Sequence, residues 1–522
     1  MSTQSFPVGA EAVPAAPAVA ASRPAVARKA RAGLAMSLAT FAMAAASAIQ
    51  AVLYLSKFGT NTRTDGFFVA FALYTTFGVF SQSLRLTSVP LLVDDARLTV
   101  REFGAALAVI ALPVLIITVA LANPVAHLLA PGLDSEGRNV TRDALPVLGL
   151  AMTLQLWAAG GATVLAIRDR FTIVAGAYIC GAGAGLLTFL AIMGTAGEQT
   201  LGWSMFAMAV VTCSWMVGGL AVSGGVGAGR RPLRPRALLA DAGLLLGRTA
   251  IYLAFNMLFV VTLAFASHAA IGDTTVLSYA YLFASYLVAG TGMALGMSRI
   301  PDMTRAARSE RQAVLADTVP QGFRYSMLLV APALAALIAA GAPLIHEVFP
   351  GSLDATGVHT LRVFGLLLVP WTVAALLVNF LLPAMFAVGR ARLLNALAVP
   401  LVLLHLGATA IGSALFGVDG AVAAFCVAPG CFAAVLLVAG AGHDAGRLAR
   451  EMFFDAARFL VLSGLAFGTG WLVGKALPSE LVGALVAGML GSLLYVVGLR
   501  LFARRQVAVL LGAIARPAAA SA

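Results

Sequence analysis

The chain has 522 residues, of which 61% are hydrophobic and only 11% charged, with a formal net charge of +12. An ordinary soluble domain carries about a quarter charged residues, so the composition excludes a water-soluble fold and makes lipid the solvent. The basic excess does not point to nucleic acid either, because the arginines fall in short turns between apolar runs, the pattern that orients a membrane protein.

A chain in lipid satisfies its backbone groups as helices or as a closed barrel. Barrel strands alternate apolar and polar positions over about ten residues. Here the apolar runs are continuous over roughly twenty residues, the length of a spanning helix. The predicted fold class is therefore all-α: a polytopic integral membrane protein with about fourteen transmembrane helices.

In chain order, residues 1–31 are rich in Ala, Pro and Val and close on Arg28, Lys29 and Arg31. They read as a disordered cytoplasmic tail with positive-inside charges, and a signal peptide is the competing reading. Candidate spans follow at about 33–56, 66–92, 104–129, 144–166, 171–194 and 201–223, then 240–267, 274–298, 322–347, 361–387, 393–415 and 419–440, and last 456–474 and 480–502. The domains expected are an N-terminal six-helix bundle over 32–223, a basic cytoplasmic linker over 224–239, and a second six-helix bundle over 240–441. Two additional helices over 442–503 and a cytoplasmic tail over 504–522 complete the chain. With the N-terminus placed inside, only Lys57, Arg63, Arg138, Arg142, Arg362 and Lys475 of the 34 basic residues fall outside, and Arg85 and Arg248 lie within spans. That bias puts both termini in the cytoplasm of a bacterial inner membrane.

The chain repeats itself. Pro124, His127, Pro131 and Gly132 match Pro343, His346, Pro350 and Gly351 at a constant offset of 219. Further on, Arg168-Asp169-Arg170 pairs with Arg390-Ala391-Arg392 at a nearly equal offset. Six helices per repeat gives two halves of like orientation about an axis along the membrane normal, the architecture of rocking transporters. His127 and His346 belong to this repeated turn and are read as structural, as is the lone His405. Cys180, Cys213, Cys426 and Cys431 lie singly in apolar spans, as small buried hydrophobes do; no disulfide framework or metal site is expected.

Several segments resemble a known family. Thr64-Asp65-Gly66-Phe67-Phe68-Val69-Ala70-Phe71 resembles the second-helix entry TDAFFVAF of the MurJ (MviN) lipid II flippases. Ala130-Pro131-Gly132-Leu133-Asp134 resembles that family's APGFD turn, and residues 342–351 its second copy. Leu415-Phe416-Gly417-Val418-Asp419-Gly420-Ala421 resembles the turn before its twelfth helix. The resemblance implies the fourteen-helix fold of the multidrug/oligosaccharidyl-lipid/polysaccharide (MOP) exporter superfamily and a transport function. The chain departs from the family where charge is concerned. The stretch from Ala44 to Ala51, where the family has arginines, has only Ser47 and Gln50 as polar members. Tyr74-Thr75-Thr76-Phe77-Gly78 replaces a run ending in arginine, and Tyr279-Ala280-Tyr281-Leu282-Phe283 replaces YADRL.

Polar groups inside spans are costly and mark candidate sites. Arg85 lies about seven residues from the cytoplasmic end of its span, roughly 10 Å deep at 1.5 Å per residue. It reads as a phosphate ligand, since guanidinium binds phosphate oxygens in bidentate geometry, or as a side chain snorkelling to the headgroups. Arg248 reads as its counterpart in the second half or as a positive-inside anchor. By the repeat, and as the resemblance implies, helices 1, 2, 7 and 8 line the central cavity. Gln50, Asn256, Tyr279 and Tyr281 would then be substrate contacts, or plain interhelical hydrogen bonds. Asp65 is expected to pair with Arg63 or Lys57, to gate the outer mouth, or to cap its helix after Thr64.

No nucleophile motif, intramembrane carboxylate pair or phosphate-binding glycine loop is present, so no enzyme activity and no cofactor are expected. The reading is a flippase for a polyprenyl-diphosphate-linked anionic glycan working by alternating access. A MATE-like cation-coupled drug exporter and a non-transporting scaffold of the same fold are the alternatives. The expected partners are that lipid-linked glycan and membrane lipids. The oligomeric state is not set by the sequence, which is compatible with a monomer.

Overall fold

The structure is a computed structural model and describes residues 45–93 together with 39, 42 and 43, and residues 99–224, 234–293, 311–348 and 353–502. Among them every regular element is a helix, as the continuous apolar runs require. The predicted tails 1–31 and 504–522 and most of the linker 224–239 lie outside the described residues. Ten stretches are long and apolar enough to cross a membrane. One of them, Val427–Lys475, joins the predicted spans 12 and 13, and spans 1, 2 and 8 contain positions outside the described set. Large apolar side chains such as Leu187, Val217, Leu403, Leu465 and Met489 stand exposed on the outside of the bundle, where only lipid could solvate them. The protein is a multi-pass membrane protein.

The third helix of each half shows how sequence sets local form. Val100–Leu115 contains Pro113 and runs into a π-helical turn at Ile116–Ala120; Arg311–Ala336 contains Pro332 and runs into one at Leu337–Gly341. Proline removes a ladder hydrogen bond and clashes with the preceding turn, and a widened turn is one way a helix absorbs that. After each, a short helix (Ala122–Leu129 or Ala342–Val348) leads to an aspartate cap. Asp134 accepts from the Gly137 N–H at 2.8 Å, and Asp354 from the Gly357 N–H at 2.7 Å. The cap at Asp134 starts the fourth span at Ser135, earlier than the apolar pattern alone placed it.

Backbone geometry extends the repeat and corrects part of it. Asp169 (φ 58°) and Gly389 (φ 80°) are the left-handed residues that close the fourth and tenth spans. The next residues bond alike, Arg170 N–H to Leu165 O and Arg390 N–H to Met385 O, both at 2.9 Å. Arg390 therefore corresponds to Arg170, not to Arg168. The offset is 220 beyond the repeated turn because Ser352 is an extra residue there. The same offset relates Gly197 and Gly417, whose positive φ breaks the chain before the sixth and twelfth spans.

Within the first half, Thr62–Val93 and Ser135–Ile167 touch backbone to backbone. A Cβ on Gly66 would sit 2.1 Å from Gly137 O, and Thr141 Oγ1 donates to Gly66 O at 2.8 Å. Small residues at such crossings replace the hydrophobic driving force that lipid removes. The two last helices, Ala445–Lys475 and Glu480–Phe502, dock on the ninth span through polar contacts. Arg324 Nε meets Asp455 Oδ2 at 2.7 Å, and the Tyr495 hydroxyl donates to Leu328 O at 2.8 Å.

Candidate functional site

A cavity of about 280 Å³ lies between the two halves. Its walls come from the first, second, fourth, sixth, seventh, eighth and tenth spans, so both halves contribute. Gln50, Asn256 and Tyr281 are among its lining residues. Tyr279 faces elsewhere, donating its hydroxyl to Ala51 O at 2.9 Å and meeting Phe68 edge-on. Arg248 is half-buried and not part of the lining. It lies one helical turn below Tyr252 and two below Asn256, on one helix face at i, i+4 and i+8. The side chain of Arg85 lies outside the described residues.

Several lining groups lie outside the predicted site. Gln155 on the fourth span and Asn379 on the tenth were not expected to reach the cavity, nor was Trp371. Each of those two amides is the only Asn or Gln of its predicted span, and that isolation is the signal that could have found them. Tyr281 stacks on Phe259 with centroids 3.6 Å apart and tilts against Trp371 at 5.0 Å; Trp371 stacks in turn on Phe425 at 5.2 Å. These ring contacts hold the aromatic wall of the second half in one arrangement.

The two ends of the seam between the halves differ. At the end away from the arginine-bearing turns, Asp65 is buried and accepts three hydrogen bonds from the eighth span. The donors are Gly272 N–H at 2.7 Å, Thr275 N–H at 2.8 Å and Thr275 Oγ1 at 2.6 Å. Gly272 occupies the cap position of Asp273–Val288 with φ 95°, a conformation that suits glycine, and brings no side chain to satisfy the helix terminus. The carboxylate of the other half fills that role, favoured by the positive end of the helix dipole. Arg63 is occupied elsewhere, with Glu198 at 2.9 Å. Gly132 N–H donates to Ser267 Oγ at 3.0 Å and adds a second tie across this end. At the basic end the described residues include an apolar cluster in which Phe80, Leu84, Phe103 and Leu107 pack with Ala242 and Leu245 of the seventh span. Among the described residues no cluster of three His, Cys, Asp or Glu could hold a metal ion.

His405 is wholly buried. Its Nε2 lies 2.9 Å from Leu258 O and 3.0 Å from Thr262 Oγ1, joining the eleventh span to the seventh away from the cavity.

Solved structures with a similar architecture include transporters. The lipid II flippase MurJ in an inward closed conformation superposes with a TM-score of 0.69, at 15% identity over 90% of this chain and 99% of that one. An inward-facing multidrug resistance MATE transporter of the MOP superfamily gives 0.58, at 16% identity over 81% and 99%. A mutant of the Vibrio cholerae MATE transporter VcmN gives 0.55, at 13% identity over 82% and 98%. No protein-family model matches the sequence, and no curated protein matches it. The chain has the MurJ-like fold of the MOP superfamily.

Proposed function

We propose that this protein moves a polyprenyl-diphosphate-linked glycan across a bacterial cytoplasmic membrane by alternating access. The observation that carries the reading is the cavity lined by spans of both halves, with Asp65 tying the seam at one end. In this reading the basic end is cytoplasmic, as the positive-inside bias requires, and Asp65 closes the outer end while substrate is taken up from inside. The apolar cluster around Phe80 and Leu245 parts to admit the headgroup, and the polyprenyl tail stays in the bilayer.

Arg248 lies one turn beneath the cavity, where the diphosphate would sit once the glycan has entered. Arg85, on the second span and two turns beyond the lining residue Gly78, supplies the matching cation from the other half. Release follows when Asp65 lets go of the eighth span and the outer end opens. The membrane potential favours outward movement of an anion by about 2.3 kcal/mol per charge per 100 mV, which gives direction without a nucleotide. A MATE-like cation exporter needs an intramembrane acid, and the described cavity lining has none.

The test is translocation of a fluorescent glycan carried on farnesyl diphosphate in proteoliposomes. The wild type is expected to flip it, and the Arg85→Ala/Arg248→Ala double variant to fall at least 100-fold with its unfolding temperature unchanged. Equal flipping by the double variant would remove this use of the arginines. No flipping by the wild type, together with dye efflux driven by a proton or Na⁺ gradient, would move the protein to the drug exporters. Neither activity would leave the scaffold.

A further inference from the structure

The lining of the cavity carries a chemical preference of its own. Four side-chain amides reach it in two pairs: Gln50 and Gln155 from the first and fourth helices of one half, Asn256 and Asn379 from the first and fourth helices of the other. In each amide one N–H is already used. Asn256 Nδ2 donates to Tyr252 O at 2.8 Å and Asn379 Nδ2 to Ala375 O at 2.9 Å. A backbone carbonyl can only accept, so these two orientations are fixed. Gln50 Nε2 donates to Ser204 Oγ at 2.9 Å, whose own proton goes to Gly185 O at 2.8 Å, so the serine can only accept. Gln155 Nε2 donates to the Tyr74 hydroxyl. The four amide oxygens accept no hydrogen bond among the described residues, and they belong to residues that line the space. The wall between them is aromatic, formed by Tyr252, Tyr281, Trp371, Phe68 and Phe71, and the described lining includes no Asp, Glu, Lys, Arg or His.

Such a wall selects by exclusion as much as by attraction. Among the described lining residues an anionic headgroup would meet four amide oxygens and several hydroxyls with no cation to offset it, and an organic cation would meet no carboxylate. An apolar molecule would leave buried acceptors unpaired, at a cost that sites built for hydrogen bonding use to reject analogues. What remains is a neutral polyol, whose hydroxyls donate to the amide oxygens and whose C–H faces lie on the rings. The volume, at the small end of ligand pockets (about 300–1,000 Å³), admits a compact headgroup.

We infer that the central cavity takes the neutral sugar portion of the substrate, so that the glycan carried is uncharged and the only anion transported is its diphosphate. The inference rests on the flippase reading and narrows it, placing sugar recognition at the four amides and charge recognition one helical turn below.

The protein in lipid nanodiscs is titrated with four probes: farnesyl diphosphate, the same lipid bearing a neutral disaccharide, the same lipid bearing a glucuronic-acid disaccharide, and tetraphenylphosphonium. The neutral glycolipid is expected to bind at least ten-fold tighter than farnesyl diphosphate, and the uronate no tighter than the sugarless lipid. In the Asn256→Leu/Asn379→Leu variant the neutral glycolipid should fall to the affinity of the sugarless lipid. A second measurement does not depend on that variant folding: the neutral glycolipid should shift the wild-type tryptophan emission, and Trp371→Phe should remove the shift. Equal binding of all three farnesyl lipids would overturn the inference and leave the flippase reading standing, as would tighter binding of the uronate. Binding of none of the farnesyl lipids, or of tetraphenylphosphonium alone, would overturn both.

Discussion

The two ends of the seam between the halves are closed by different physics. The end away from the basic turns is held by one buried carboxylate and three directed hydrogen bonds, an arrangement with a single good geometry. Among the described residues the basic end is packed by Phe80, Leu84, Phe103 and Leu107 against Ala242 and Leu245, a contact that tolerates sliding. In lipid the second kind of closure is weak, because acyl chains solvate a leucine as well as another helix does. The first is strong for the same reason, since no water competes for the donors once they are buried. A transporter that loads from the basic end would need this asymmetry: a firm seal behind the substrate and a yielding one in front.

Substitutions test the asymmetry from its strong side to its weak one. Asp65→Ala leaves the Gly272 and Thr275 N–H groups buried without acceptors, at about 1–3 kcal/mol each. It should abolish transport and speed amide hydrogen exchange over residues 270–278; unchanged exchange there would mean the latch does not hold this end. Thr275→Val keeps shape and backbone but deletes one bond to a charged group, worth about 1.5–3 kcal/mol. It should lower the thermal unfolding midpoint and accelerate the same exchange to a smaller degree.

At the opposite end, Leu245→Ala removes packing and leaves a cavity, at about 2–5 kcal/mol, and should leave exchange at 270–278 untouched while easing access of thiol reagents to a cysteine placed at position 107. If instead it disturbed the Asp65 end as much as Thr275→Val does, the two closures would be one. Arg63→Ala, which breaks a half-exposed pair with Glu198, should cost under about 1 kcal/mol and change transport least.

Much of this was legible in the sequence, for identifiable reasons. Apolar runs report helices in lipid directly, and the Pro124/Pro343 repeat marked the paired turns that follow the third helix of each half. The register of the second repeat was misread because Arg390-Ala391-Arg392 looks like Arg168-Asp169-Arg170, whereas the backbone at Asp169 and Gly389 decides the match. Asp65 was visible as a candidate, but its partners lie more than 200 residues on, beyond any local spacing rule. Gln155 and Asn379 were missed because only helices 1, 2, 7 and 8 were assigned to the cavity; the crossings that bring the fourth and tenth helices inward depend on packing that a single span does not record.

The Gly66–Gly137 crossing has a mechanical consequence. Two helices whose main chains touch cannot slide without breaking that fit, so the second and fourth spans move together at this crossing. Asp65 stands next to the crossing, and Gln155 is carried on the fourth span inside the cavity. A load that shifts Gln155 reaches the second span through Tyr74, nine residues and about 14 Å of helix from the latch (about 1.5 Å per residue).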